Sequence, residues 1–289
     1  MTTPAPISIG IDGSDTALAA ARWAAAFGRV THTPLRVVHS MHVPGWYLGS
    51  AAYVSEIPLS DEMHALGRRH LDAATDAIVA IDPAADVERV GTELSITDYL
   101  ARVDSSLVVL GSGRTGPVRD IVLGGNTIRI IGRVQCPVMI RRQDDIDTTT
   151  HHPVVVGVDG SPESGRAMLA AFEYADLLNA PVTAAHFWGV SMKLGLALGA
   201  GYIDWERVGR EERKWLWDRV ENLRQKFPDV SVGISTSSAS PSMALRALST
   251  SARLVVVGSR GRGRVSGAAL GSVSQNMVHH ARCSVLVVR

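Results

Sequence analysis

The sequence predicts an α/β protein made of two tandem, doubly wound parallel sheets of five strands each. Three observations carry this: the chain repeats itself at one spacing, each copy alternates β-branched runs with helical stretches, and 289 residues suit two ordinary domains better than one. ISIGIDGS (7–14) returns as VVVGVDGS (154–161), which pairs Asp12 with Asp159 at an offset of 159 − 12 = 147. TPLRVVH, ending at His39, returns as APVTAAH, ending at His186, and LVVLGSG returns as LVVVGSR, pairing Gly111 with Gly258, both again at 147. From there the copies run without a gap to Arg142 and Arg289, with Gly124 on Gly271 and Cys136 on Cys283. So long a period marks duplication of a whole domain rather than a solenoid unit. The expected domains are 1–142 and 154–289, joined by the polar, Thr-rich, proline-closed stretch QDDIDTTTHHP (143–153) as linker.

Each copy then reads the same way along the chain. ISIGID is a continuous β-branched run suited to a strand buried on both faces. SDTALAAARWAAAFGRV follows as a helix with Ser14 or Asp15 as cap and an alanine-rich body; its counterpart SPESGRAMLAAFEYADLL has Ser161 as cap and Pro162 at the first helical position. LRVVH and VTAAH make the second strand. The second helix is expected over 61–80, where Met63, Leu66, His70, Ala74 and Ile78 recur every three or four residues. Its counterpart, about 206–227, carries Trp215, Leu216, Val220, Leu223 and Phe227 on one stripe. A short third strand, a third helix, LVVLG or LVVVG, a fourth helix, and a last strand PVMIR or SVLVVR complete each unit. Strands separated by such helices imply right-handed crossovers and a parallel sheet. Ligands of such sheets sit beyond the strand C-termini where the strand order reverses, so Asp12, Asp159, Gly111 and Gly258 are the first candidates.

Composition narrows the function. A formal charge of +1, with 20% charged and 46% hydrophobic residues, describes a globular protein whose overall balance recruits neither nucleic acid nor a membrane surface. No apolar run approaches the roughly 20 residues that span a bilayer, and MTTPAPISIGID lacks a basic region followed by an apolar signal core, so a cytoplasmic location is expected. Cys136 and Cys283 each precede an apolar run and read as buried thiols rather than a disulfide.

The stretch GSRGRGRVSGAALGS (258–272) gives the chemistry its sharpest pattern: Gly258, two residues, Gly261, nine residues, Gly271 and Ser272, then Ser274. A phosphate needs inward-pointing backbone N–H groups with no side chain in the way, and glycine allows that approach. Ser272 and Ser274 open the helix SVSQNMVHH, whose dipole and free N–H groups favour an anion. Arg260, Arg262 and Arg264 lack the neighbouring aromatics of a nucleic-acid arm, and sit near phosphate or face solvent. Asp12 and Asp159 have a plainer alternative, capping the turn that follows them. His39 and His186 have no second ligand at a metal-like spacing, so no metal site is expected there. Trp215 and Trp217 read as core or interface residues. The long loops MHVPGWYLGSAAYVSEIP and WGVSMKLGLALGAGYIDW read as lids or partner surfaces.

This glycine spacing, the opening VVVGVDGS and the ending GSVSQNMVHHARCSVLVVR together resemble the universal stress protein family in its tandem, two-domain form. The resemblance implies an adenine nucleotide alpha hydrolase-like fold, with strand order 3-2-1-4-5, that binds ATP. Asp159 would lie beside the adenosine portion, with Gly258, Gly261, Gly271, Ser272 and Ser274 around ribose and phosphates. The backbone near His186 would meet the adenine. In the first half Asp12, Gly111, Gly124 and Thr127 match, but Arg114 stands where the second glycine belongs and Gly125 replaces the serine. Two sites of unequal quality are expected, the second tighter. Mg²⁺ usually travels with ATP, and the sequence leaves open whether it does here.

The expectation is an ATP-binding regulator in the stress response that changes conformation or partners with nucleotide occupancy. The chain has no G-x-x-x-x-G-K-[ST] loop and no nameable base for an attacking water, so binding rather than turnover is the main expectation. Two alternatives stand beside it: a slow adenine-nucleotide hydrolase using the same pocket, and a dimerisation module with decayed sites. A homodimer is expected, because an apolar last strand at a sheet edge invites pairing. The sequence names no protein partner.

Overall fold

In the computed structural model, residues 4–42, 59–112, 125–142, 152–189, 204–262 and 270–289 are described. The chain divides into two compact units, the first ending at Arg142 and the second beginning at His152 among these residues. The first unit runs β1 (Ile7–Ile11), α1 (Asp15–Thr31), β2 (Leu35–Ser40), α2 (Leu59–Val79) and β3 (Val87–Thr92). It continues with α3 (Ile96–Leu100), β4 (Leu107–Ser112), α4 (Gly125–Arg133) and β5 (Val138–Arg142). The second repeats the series as β6 (Val154–Gly157), α5 (Pro162–Leu177), β7 (Val182–Phe187), α6 (Trp205–Lys226) and β8 (Val232–Ser237). It closes with α7 (Pro241–Leu248), β9 (Leu254–Gly258), α8 (Ser272–His280) and β10 (Ser284–Val288).

Within each unit the strands are parallel and follow the order 3-2-1-4-5: β3-β2-β1-β4-β5, and β8-β7-β6-β9-β10. The repeat extends to register. Ile7 faces Leu35 as Val154 faces Val182, and Val108 faces Val138 as Val255 faces Val285. The third strand alone departs from the period: Val87 and Val232 hold equivalent places, an offset of 232 − 87 = 145. The copies therefore differ in length by two residues between strands two and three, and by the same amount in the opposite sense before strand four.

β1, β4, β9 and β10 bury almost their whole length, as their Val, Ile and Leu runs require. β3 and β8 end the order and are polar, and Glu88 on β3 pairs with its register partner Arg36 at 2.5 Å. Helix α1 turns Ala17, Ala20, Ala21, Ala24 and Ala25 toward the sheet, a face of small side chains that brings its backbone close. That closeness explains one glycine in each unit. A side chain on Gly111 would collide with the backbone of Thr16, and one on Gly258 would lie 2.8 Å from Cβ of Glu163. Both first helices are capped by serine, Ser14 accepting from the amide of Ala17 and Ser161 from that of Ser164, each at 3.2 Å. Cys283 is buried, Cys136 is half-buried, and they form no disulfide. Among the described residues no helix is long and apolar enough to cross a membrane.

Candidate functional site

The site is built where β6 and β9 end. Asp159 follows β6, and its Oδ1 accepts the amide of Ser161 at 2.9 Å and the hydroxyl of Ser161 at 2.6 Å. This is the turn-capping role available to any aspartate, but the second oxygen does something longer-ranged. Oδ2 accepts the amide of Arg262 at 3.0 Å and so ties the loop after β9 to the end of β6. Gly261 lies against the same oxygen, and a side chain there would collide with it. Burial alone would raise the pKa of Asp159, yet the bonds from Ser161, Arg262 and Ser164 outweigh burial and hold it below the ordinary carboxylate value.

Above this loop opens a cavity with two unlike ends. Ala185, Phe187, Pro241, Leu245 and Val257 form an apolar end. Ala185 and Phe187 share one face of β7, and His186 between them points to the other, as strand alternation demands. Arg260, Gly261, Arg262, Gly271, Ser272 and the rest of the α8 N-terminus form the opposite, polar end. Gly271 is the N-cap residue of α8 and offers no capping side chain, and the first helical bond runs from Gln275 N–H to Gly271 O at 2.9 Å. The amides of Ser272, Val273 and Ser274 precede that turn and have no intrahelical acceptor.

Each residue the sequence singled out in this half has a separate position. Gly258, Gly261, Gly271, Ser272, Ser274 and Asp159 all line the cavity. The hydroxyl of Ser274 nevertheless donates to the carbonyl of Gly258 and is buried, so it braces β9 against α8. Gly271 has ordinary dihedrals, φ −70 and ψ 157, and among the described residues a side chain there would meet no atom closer than 3.4 Å, an ordinary contact distance. Those residues therefore do not demand glycine at 271.

Trp215 of α6 was read from sequence as core or interface, and it reaches this rim. The guanidinium carbon of Arg262 lies 5.7 Å from the Trp215 ring centroid, and that of Arg219 lies 3.9 Å from it. Gly160, with φ +83, makes the turn beneath them, where any side chain would strike Arg262 and Trp215. His186 packs its ring 4.7 Å from Trp215, donates from Nδ1 to Val158 O at 2.6 Å, and faces Glu212 through Nε2 at 3.3 Å. The useful signal for Phe187 is the period-two pattern around His186; the helical stripe marks Trp215 as inward-facing but not as reaching this rim.

The first unit carries the frame with different contents. Asp12 Oδ1 accepts the amide of Ser14 at 3.0 Å and its hydroxyl at 2.6 Å, and His39 donates from Nδ1 to Ile11 O at 2.8 Å. Gly111 packs on α1, and Thr127 is buried on α4; Gly124 and Arg114 lie outside the described residues. At the offset of 147, Ser40 replaces Phe187 and donates its hydroxyl to Leu94 O at 2.8 Å, while Leu110 replaces Val257. His70 of α2 covers Gly13 as Trp215 covers Gly160. Its pKa is lowered, first by burial and then by the neighbouring His39, with Asp12 opposing. Among the described residues, no cluster of three His, Cys, Asp or Glu side chains is arranged to hold a metal ion. Both long loops after the second strand fall mostly outside the described residues, at 43–58 and 190–203.

Two units, each with five parallel strands in the order 3-2-1-4-5 and an Asp-Gly-Ser turn ending its first strand, define the class, and sequence comparison gives the family. Residues 5–142 and 150–289 each match the universal stress protein family, and the chain belongs to it as a tandem, two-domain member. Universal stress protein Rv2005c of Mycobacterium tuberculosis is 32% identical over 294 residues, covering 98% of this chain and 96% of its own. Universal stress protein Rv2623 of the same organism is 30% identical over 298 residues, again covering 98% and 96%. In fold, the chain is similar to a crystal structure of a universal stress protein from Archaeoglobus fulgidus, with a TM-score of 0.67 at 18% identity and 98% of both chains covered.

Proposed function

We propose that the second unit binds ATP and that the protein is a cytoplasmic, homodimeric, nucleotide-dependent regulator in the stress response. One observation carries the reading: a single cavity joins an apolar end, walled by Phe187, Pro241 and Leu245, to an anion end made of uncapped α8 amides and two arginines. A flat apolar base linked through ribose to a chain of phosphates has that same polarity along its length. The apolar walls take the base, Ser272 and the α8 amides take phosphate oxygens, and Gly271 leaves room for them.

The geometry favours holding over turnover. Asp159 is the one carboxylate lining the cavity among the described residues, and despite its burial the hydrogen bonds it accepts hold its pKa below the ordinary carboxylate value. A carboxylate so stabilised is a weak base for an attacking water. Equilibrium dialysis of the full chain with ATP, followed by analysis of the bound nucleotide, tests the proposal. Bound ATP recovered intact is expected, with light scattering giving twice the chain mass. Steady ADP release would instead favour the hydrolase, and no bound nucleotide would favour the dimerisation module.

A further inference from the structure

We infer that this pocket takes its nucleotide as the metal-free anion, with Arg260, Arg262 and the N-terminus of α8 supplying the positive charge that Mg²⁺ commonly supplies. The inference rests on the nucleotide reading above and adds a commitment about charge. Mg²⁺ is held in nucleotide sites by one or two carboxylates together with phosphate oxygens and water. Among the described residues the cavity offers Asp159 alone, with two hydrogen bonds from Ser161 on one oxygen and the Arg262 amide on the other, so one lone pair is left for a cation. Residues 263–269, GRVSGAA, bring no acid to the loop, only a further arginine.

Of the positive groups, Arg262 is held in place. Arg262 is anchored at both ends, by its amide on Asp159 and by its guanidinium against the Trp215 ring, whose approach is braced by Arg219. A held arginine meets phosphate with little further ordering. Arg260 stands two residues before it on the same rim, and Gly271 opens α8 with no side chain between the helix amides and the cavity. A divalent ion entering here meets two cations and a helix dipole of the same sign. ATP that has already given part of its charge to Mg²⁺ has less to offer them.

Equilibrium dialysis of the full chain with ATP, once in EDTA and once in excess Mg²⁺, decides the matter. The expected result is binding in EDTA at least as tight as in Mg²⁺, with Mg²⁺ weakening it by up to about tenfold. The double variant Arg260→Gln/Arg262→Gln is expected to lose about tenfold or more in EDTA and less in Mg²⁺, because the ion then replaces missing charge. The exposed Arg260→Gln alone serves if the double variant melts abnormally. Wild-type binding that collapses in EDTA and returns with Mg²⁺ overturns the inference while leaving the nucleotide reading intact. Equal losses by the variant in both buffers also overturn it. No ATP binding in either buffer removes the nucleotide reading itself.

Discussion

At the residue scale, the three glycines of one spacing pattern do three different jobs. Gly258 lies under the first turn of α5, Gly261 lies against the carboxylate of Asp159, and a side chain at Gly271 would make only ordinary contacts with the described residues. Gly258→Ala is therefore expected to destabilise the second unit by about 1–3 kcal/mol, the usual range for forced overpacking. Gly261→Ala should disturb the loop and lower ATP affinity together, because the new methyl displaces the Asp159 anchor. Gly271→Ala should leave stability within about 0.5 kcal/mol and still weaken ATP. Denaturant unfolding and dialysis on the three variants separate these outcomes; wild-type affinity in Gly271→Ala would refute the cradle assigned to it.

At the scale of elements, the second helix of each unit sets what covers the Asp-Gly-Ser turn. α6 presents Trp215 to Gly160, and α2 presents His70 to Gly13; the helical periodicity puts both on the inward stripe but does not show that they cover these turns. The difference has a consequence for pH. The pKa of His70 lies below its ordinary 6.5, so folding favours the neutral ring, and the associated stability is complete above that value. It is lost as pH falls through 6.5 toward the lower folded-state value, because the unfolded chain then binds a proton that the folded chain resists. Melting of wild type and His70→Gln across this range checks the sign. The wild type should lose stability more steeply on acidification, and parallel curves would remove His70 from the account.

At the scale of the whole molecule, duplication gave two frames and divergence lined them differently. Ser40 offers no aromatic wall where Phe187 stands, and its hydroxyl is spent on Leu94 O. Leu110 extends further toward Gly10 than Val257 does toward Gly157, coming within 2.9 Å of the place a side chain would take there, against 3.6 Å. Titration calorimetry should accordingly give close to one tightly bound ATP per chain, and Phe187→Ser should remove most of that binding. Two equal sites per chain would contradict the asymmetry.

The sequence by itself determined the duplication, the alternation of strands and helices, the serine caps and the strand-end positions of Asp12 and Asp159. These follow from backbone periodicity and short-range hydrogen bonding, which act over a few residues and leave their mark in the order of residue types. The resemblance, not periodicity, supplied the strand order 3-2-1-4-5. Strand alternation puts Phe187 and His186 on opposite faces, but tertiary structure decided which of them faces the cavity and that Ser274 serves Gly258. It alone also brought Arg262 between Asp159 and Trp215. Asp159 and Arg262 are 103 residues apart, and what joins them is the adjacency of β6 and β9 in the sheet. That adjacency arises from packing across the whole unit, which no local run of residues records.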